Sequence, residues 1–257
     1  MKLNINQKRF LTETTYKLVT TVGGPFVKIA YNPLYLNLKN IPKDGDSIIF
    51  APNHRKTVDP FVIVAAVDIP IHWAALKRFF DAEDSLFNNS KNPILCQITS
   101  KLLYGIGALP IERKDRSDDY FKCNISTIKQ MISYLKMKSS VGIFPEGTTN
   151  KEPDKKDVGH IYDSFLHMAK KTNSWVLPIS TVWAPKEMNV KNKVIINFRE
   201  PFKVGNMKID EALEKYKELI LSGIDENKKI YTNLQEIENI VSATEHNKAL
   251  QLVLKSK

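Results

Sequence analysis

The 257-residue chain reads as an α/β protein: a layered sheet of about seven strands between helices, with amphipathic helices before it and a helical extension after it. Two observations predict this. Short apolar runs alternate with amphipathic helical patterns through the middle of the chain. The composition, 42% hydrophobic, supplies enough apolar side chains for one sizeable core.

The elements follow in order. Lys8 to Ala30 mixes Phe10, Leu11, Tyr16, Leu18, Val19, Val22, Phe26, Val27 and Ile29 with Lys and Thr. Gly23-Gly24-Pro25 predicts a break there, giving two short helical pieces. The strands expected next are Tyr35–Leu38, Ser47–Ala51, Ile71–Leu76, Ala108–Glu112, Val141–Pro145, Trp175–Trp183 and Lys193–Phe198. The clearest helix is Asp118–Lys138, where Phe121, Ile125, Ile128, Ile132 and Leu135 recur at alternating steps of four and three. Cys123 falls in it as a small apolar residue. Residues 207–257 are charged and helical, and their Leu and Ile spacing suggests two helices. The expected organisation is a membrane-associating segment over 1–44, an α/β domain over 45–206 and a C-terminal extension over 207–257.

Composition narrows the function. Two cysteines without CxxC spacing make neither a disulfide framework nor a zinc pattern, which fits a reducing compartment. The formal net charge is +10. Residues 1–44 hold seven basic side chains (Lys2, Lys8, Arg9, Lys17, Lys28, Lys39, Lys43) against two acidic ones, Glu13 and Asp44. A basic surface suits nucleic acid, an anionic membrane or a phosphorylated ligand, and no nucleic-acid module is visible. No apolar run reaches the roughly 18 residues needed to span a bilayer. The segment 8–30 therefore reads as an interfacial anchor or as an ordinary packed amphipathic helix.

Ligands in layered α/β folds gather where strands give way to loops, and three junctions carry chemistry. In the first, a strand ending at Pro52 leads through Asn53-His54 to Asp59-Pro60, where an apolar helix starts. Proline favours the first helical position, which makes Asp59 a natural N-cap. If the loop turns, Asp59 can accept a proton from one imidazole nitrogen of His54 and leave the other free as a base. A histidine beside an N-cap aspartate is nonetheless more often structural than catalytic. The second junction ends on Arg113, whose planar fork suits phosphate oxygens or a structural ion pair. The third runs Phe144-Pro145-Glu146-Gly147-Thr148-Thr149. Gly147 permits a tight turn, Thr148 and Thr149 add donors, and Glu146 is expected to pair with Arg113 or with an acceptor hydroxyl.

These blocks together resemble the glycerolipid acyltransferase family, in particular the 1-acylglycerol-3-phosphate acyltransferases. NHxxxxD is matched by Asn53-His54 to Asp59, and a strand ending Ile-x-Arg by Leu109 to Arg113. FPEGT is matched by Phe144 to Thr148, and an apolar strand with a central proline by Val176 to Ile179. The resemblance covers about residues 45–185. It implies a mixed, mostly parallel sheet and acyl transfer from an acyl carrier protein or coenzyme A thioester to the 2-hydroxyl of a lysophosphatidate-like acceptor. The basic, amphipathic N-terminal segment adds the expectation of work at the cytoplasmic face of an anionic membrane, and no motif for a metal or other cofactor is visible. By motif match His54 is the general base and Asp59 its orienting partner. Arg113 holds the acceptor phosphate, and Glu146, Gly147 and Thr148 shape the acceptor loop. Lys77 is the candidate for a second phosphate contact, with Arg78 as the alternative register. Thr149 replaces the family's common arginine, and the 78–102 span is long, with Asp81, Glu83, Asp84 and two asparagines. Other acceptors (glycerol-3-phosphate, another lysophospholipid, a lipid-linked alcohol), a silent membrane-binding relative, and a thioesterase or phosphatase stay open.

Overall fold

The computed structural model describes residues 5–43, 45–85, 91–113, 120–150, 156–185, 187–188 and 190–255, with side chains described between 12 and 238. The side chains of Lys2, Lys8, Arg9, Phe10 and Leu11, residue Asp44, the helix start at Asp118 and the asparagines at 88 and 89 lie outside these.

The sheet order is β1-β7-β6-β2-β5-β3-β4. Its strands are β1 (Leu34–Leu36), β2 (Ile48–Pro52), β3 (Ile71–Leu76), β4 (Leu109–Ile111), β5 (Ser140–Gly142), β6 (Trp175–Trp183) and β7 (Val194–Phe198). An eighth, β8 (Phe202–Lys203), pairs with β6. All pairs along the main path are parallel except β6–β7. The expected strands Ile71–Leu76 and Trp175–Trp183 match residue for residue. The two-residue β8 is too short to carry a periodic pattern and escapes the sequence reading.

Two cores explain why β2 is apolar throughout. Ile48 and Phe50 pack with Tyr16 of α1 (Ile5–Tyr31), Val62 of α2 (Asp59–Val64), Phe79 of α3 (Lys77–Phe80) and Leu103 of α4 (Pro93–Gly105). Ile49 and Ala51 pack on the opposite face with Met131 of α5 (Tyr120–Lys136), Phe165 of α6 (Ser164–Thr172) and Tyr216 of α7 (Ile209–Lys255). A strand covered on both faces has no polar side to show. Each of the large side chains contributes about 1.5–3 kcal/mol by leaving water.

Three expectations change. The N-terminal segment is one helix, α1, with Pro25 inside it. Residues on both sides of the Gly-Gly-Pro step, Tyr16 and Val19 before it and Val27 and Tyr31 after it, pack on the same core, so a continuous rod seats both halves. The C-terminal segment is also one helix of 47 residues. Gly223, which could have marked a break, lies where a Cβ would overlap the Ser180 hydroxyl and Arg199. It is a close-packing position. Finally, α5 buries Thr127, Met131, Tyr134 and Leu135, with Ile128 and Ile132 beside them, while Phe121 is exposed.

Candidate active site

β2, β5, β3 and β4 are parallel neighbours in that order, so the loops leaving their C-terminal ends emerge along one edge of the sheet. At about 4.8 Å per strand, the first and last are roughly 14 Å apart. His54 follows β2, Glu146 follows β5, Lys77 follows β3 and Arg113 follows β4. The sequence-predicted residues thus share one edge.

Asn53 sets the loop after β2. Its side chain takes the Thr181 amide at 2.6 Å and donates to the Thr181 carbonyl at 3.0 Å, which straps the turn to β6. His54 comes next with 16% of its side chain exposed, and its Nδ1 lies 3.0 Å from Asp59 Oδ2. Asp59 is fully buried. It is the first residue of α2 and does not cap it, because Val58 holds the N-cap position. Its carboxylate turns back into the loop instead, where Oδ2 accepts the Arg55 amide at 2.6 Å and the Lys56 amide at 2.8 Å. Oδ1 accepts the Trp183 indole N–H at 2.8 Å. Three N–H donors and the His54 Nδ1 thus surround one buried carboxylate. Held this way, the imidazole turns Nδ1 to the carboxylate and leaves Nε2 with no partner among the described residues.

An aromatic shelf supports the ring. Phe144 stacks on His54 with centroids 3.9 Å apart, and Trp73 lies 5.3 Å beyond. Gly142 makes room, since a Cβ there would overlap the Trp73 indole. Two residues past Phe144, Glu146 is buried and accepts the His54 amide on Oε1 at 2.7 Å and the Gly159 amide on Oε2 at 2.6 Å. The expected pairing with Arg113 is therefore not formed. β5 neighbours β2 in equal register, whereas β4 lies two strands further on. Burial pushes the Glu146 carboxyl up, countered in part by these two amides and by Arg55. Gly147 adopts φ +65° and its amide closes the turn on the Phe144 carbonyl at 3.0 Å. That amide is consumed by the fold. Thr148 is exposed and has no hydrogen bond among the described residues.

The two phosphate candidates after β3 now separate. Arg78 is committed to Asp84 at 2.9 Å and lies over the Phe79 ring. Lys77 is half-exposed, and its ion-pair contact among the described residues is Asp81 at 3.8 Å. Arg113 is half-buried, and its amide is taken by its neighbour Glu112, whose own backbone is clamped by Asn124. Leu76 pairs with Ile111 in register, so Lys77 and Arg113 leave adjacent strand ends.

Sequence reasoning missed three contributors. Arg55 is a largely buried cation 3.6 Å from Asp157 that lowers the Glu146 carboxyl. Gly159 supplies an amide where a side chain would crowd Glu146. Trp183 supplies the fourth donor to Asp59. Only Arg55 had a local signal, its place inside the NHxxxxD block. A cavity of about 550 Å³ lies away from this edge, beside the N-terminal ends of β2, β3 and β5. Its lining mixes Lys43 and Lys138 with Glu13, Asp46 and Asp68 and contains none of the candidate residues. Among the described residues no cluster of side chains suits a metal, and no helix is long and apolar enough to cross a membrane.

Comparison with known proteins bears on the family and the fold. A family model described as "Acyltransferase" matches residues 34–182. The chloroplastic 1-acyl-sn-glycerol-3-phosphate acyltransferase LPAT1 of Arabidopsis thaliana is 23% identical over 173 residues, 67% of this chain and 41% of that protein. The match thus spans less than half of that relative's length. The crystal structure of the 1-acyl-sn-glycerophosphate (LPA) acyltransferase PlsC from Thermotoga maritima shares the fold, with a TM-score of 0.55 and 19% identity. That match covers 88% of this chain and 84% of the other.

Proposed function

The chain belongs to the acyltransferase family, and from that premise we propose that it moves a fatty acyl group from a thioester of acyl carrier protein or coenzyme A to the 2-hydroxyl of 1-acylglycerol-3-phosphate, giving phosphatidic acid. One observation carries the reading: a half-buried imidazole whose Nδ1 meets a carboxylate held by three other N–H donors, with Nε2 unpartnered among the described residues. In this mechanism the acceptor hydroxyl gives its proton to Nε2 as its oxygen attacks the thioester carbonyl. The tetrahedral intermediate collapses with loss of the C–S bond, and the departing sulfur takes the proton from His54. Asp59 orients the ring and stabilises the transient imidazolium. Arg113 and Lys77 hold the phosphate, while Glu146, Gly147 and Thr148 shape the loop beside it.

Membrane association is part of the proposal. Leu18, Val22, Phe26 and Ile29 are all more than half exposed on α1, flanked by Lys17 and Lys28. Such a face suits the headgroup boundary of an anionic bilayer, here the cytoplasmic face of the cell membrane. Residues 1–44 would then serve association, 45–206 catalysis, and 207–257 support. Both candidate donors are polyanions and suit the basic balance.

The test is a radiolabelled acyl donor, carried on either thiol, offered with 1-acylglycerol-3-phosphate, glycerol-3-phosphate and other lysophospholipids, with products resolved by chromatography. Label in phosphatidic acid only when lysophosphatidate is present supports the proposal. Label in another ester moves the acceptor assignment, for which Thr149 and the 78–102 span are the first suspects. Label appearing as free fatty acid regardless of acceptor refutes acyl transfer.

A further inference from the structure

We propose that Trp183 is a positioning residue for the His54–Asp59 pair, acting through the oxygen of Asp59 that His54 does not touch. The proposal rests on His54 being the base.

The two oxygens of Asp59 are unequally served. Oδ2 faces Nδ1 of His54 and the amides of Arg55 and Lys56. Among the described residues, Oδ1 has the Trp183 indole as its sole partner, at 2.8 Å. A carboxylate turns broadly about its terminal bond, and partners on one oxygen alone leave its plane free to pivot. A donor on the second oxygen fixes the plane, and with it the direction in which Oδ2 meets the imidazole. The indole nitrogen can only donate, so this bond keeps one polarity whichever tautomer His54 adopts.

The indole is itself held on several sides. Trp183 closes β6 opposite Val194. The Tyr31 ring meets it edge-on at 5.3 Å and 88°. The Lys56 ammonium sits 4.0 Å from its ring centre. Lys56 thus grips both halves of the clamp, its amide on Oδ2 and its side chain on the indole. A phenylalanine at 183 would keep much of this packing and leave Oδ1, buried, without a donor.

The test compares Trp183→Phe, alone and with Asp59→Asn, in the full chain. A second variant carrying 3-benzothienylalanine at 183 replaces only the N–H by sulfur and preserves the shape if Trp183→Phe folds poorly. Trp183→Phe should lower kcat about tenfold. The KM for acceptor and donor should stay within about twofold. In the Asp59→Asn background the same change should cost less than about twofold, because the atom facing the indole is then an NH2 group that cannot accept its N–H. Imidazole ¹⁵N spectra should show one His54 tautomer, protonated at Nδ1, in the wild type and a mixture in the variant. An equal loss in both backgrounds would make Trp183 a packing residue and overturn the proposal, as would an unchanged kcat with an unchanged tautomer. If the wild type transfers no acyl group, the enzymatic reading fails by itself, and the tautomer spectra alone then decide the role of Trp183.

Discussion

Replacing Asp59 by asparagine tests the site geometry most sharply, because the hydrogen bonds around it dictate which way the amide must lie. The carboxylate accepts three donors on Oδ2 and one on Oδ1. Asparagine has one acceptor and one NH2 group. With its oxygen toward His54 it satisfies three donors and sets its NH2 against the Trp183 N–H; turned over, it satisfies one and opposes three. At about 1 kcal/mol per hydrogen bond, the first orientation wins by roughly 2 kcal/mol. The imidazole therefore keeps its proton on Nδ1 and Nε2 stays a base. What is lost is charge. A hydrogen bond to an ionised group is worth about 1–2 kcal/mol more than a neutral one, so kcat should fall about 5- to 30-fold. His54→Ala, which removes the base, should lose about 10²–10⁴. Initial rates of labelled acyl transfer at saturating acceptor give both numbers. If Asp59→Asn falls to the level of His54→Ala, the amide has turned over and the oxygen-by-oxygen reasoning is wrong. If it keeps more than half of the wild-type rate, Asp59 does not act through His54.

Arg113→Ala and Lys77→Ala should raise the acceptor KM more than the donor KM, whereas Arg78→Ala, whose guanidinium is committed to Asp84, should leave both unchanged; steady-state kinetics with each substrate varied decides. Glu146→Gln retains one amide acceptor of two and should cost about 1–3 kcal/mol at low pH, measured by urea unfolding. Because the folded-state carboxyl titrates above its ordinary value of 4.5, the wild type gains stability from this group below that value and loses it as pH rises through the raised one. Its advantage over Glu146→Gln should therefore shrink as pH rises above 4.5, and an advantage that grew would contradict the burial argument. Gly147→Ala forces a side chain into φ +65° against the Tyr162 ring and should lower stability by about 1–2 kcal/mol in thermal unfolding, with no such loss at Thr148→Ala.

The part of the site that was legible in the sequence is the part that is local. His54 and Asp59 are five residues apart in one loop, so strand end, proline and helix start sufficed to bring them together, though not to show that Asp59 faces the loop and leaves the helix uncapped. The partner of Glu146 was out of reach. It lies 92 residues away, and only the insertion of β5 between β2 and β3 makes it a neighbour. Trp183, 124 residues from Asp59, was hidden for the same reason. Helix ends failed differently. Pro25 is a local interruption signal and the Leu and Ile spacing after residue 207 suggested a second break, and in both places a long apolar stripe packed on one core keeps the helix continuous.

Strand β2 has a consequence for how the chain comes off the ribosome. Both of its hydrogen-bonding neighbours, β5 and β6, belong to the second half of the sequence. Until residues 140–183 have been made, Ile48–Pro52 is an apolar ribbon with two open edges and no mate. Closing such distant pairings is slow, and unpaired apolar strands invite association with other nascent chains. Translation stalled before residue 140 should therefore yield a product that seeks chaperones or aggregates, whereas one released after β7 has both strand neighbours of β2 and lacks only the cover that Tyr216 of α7 supplies.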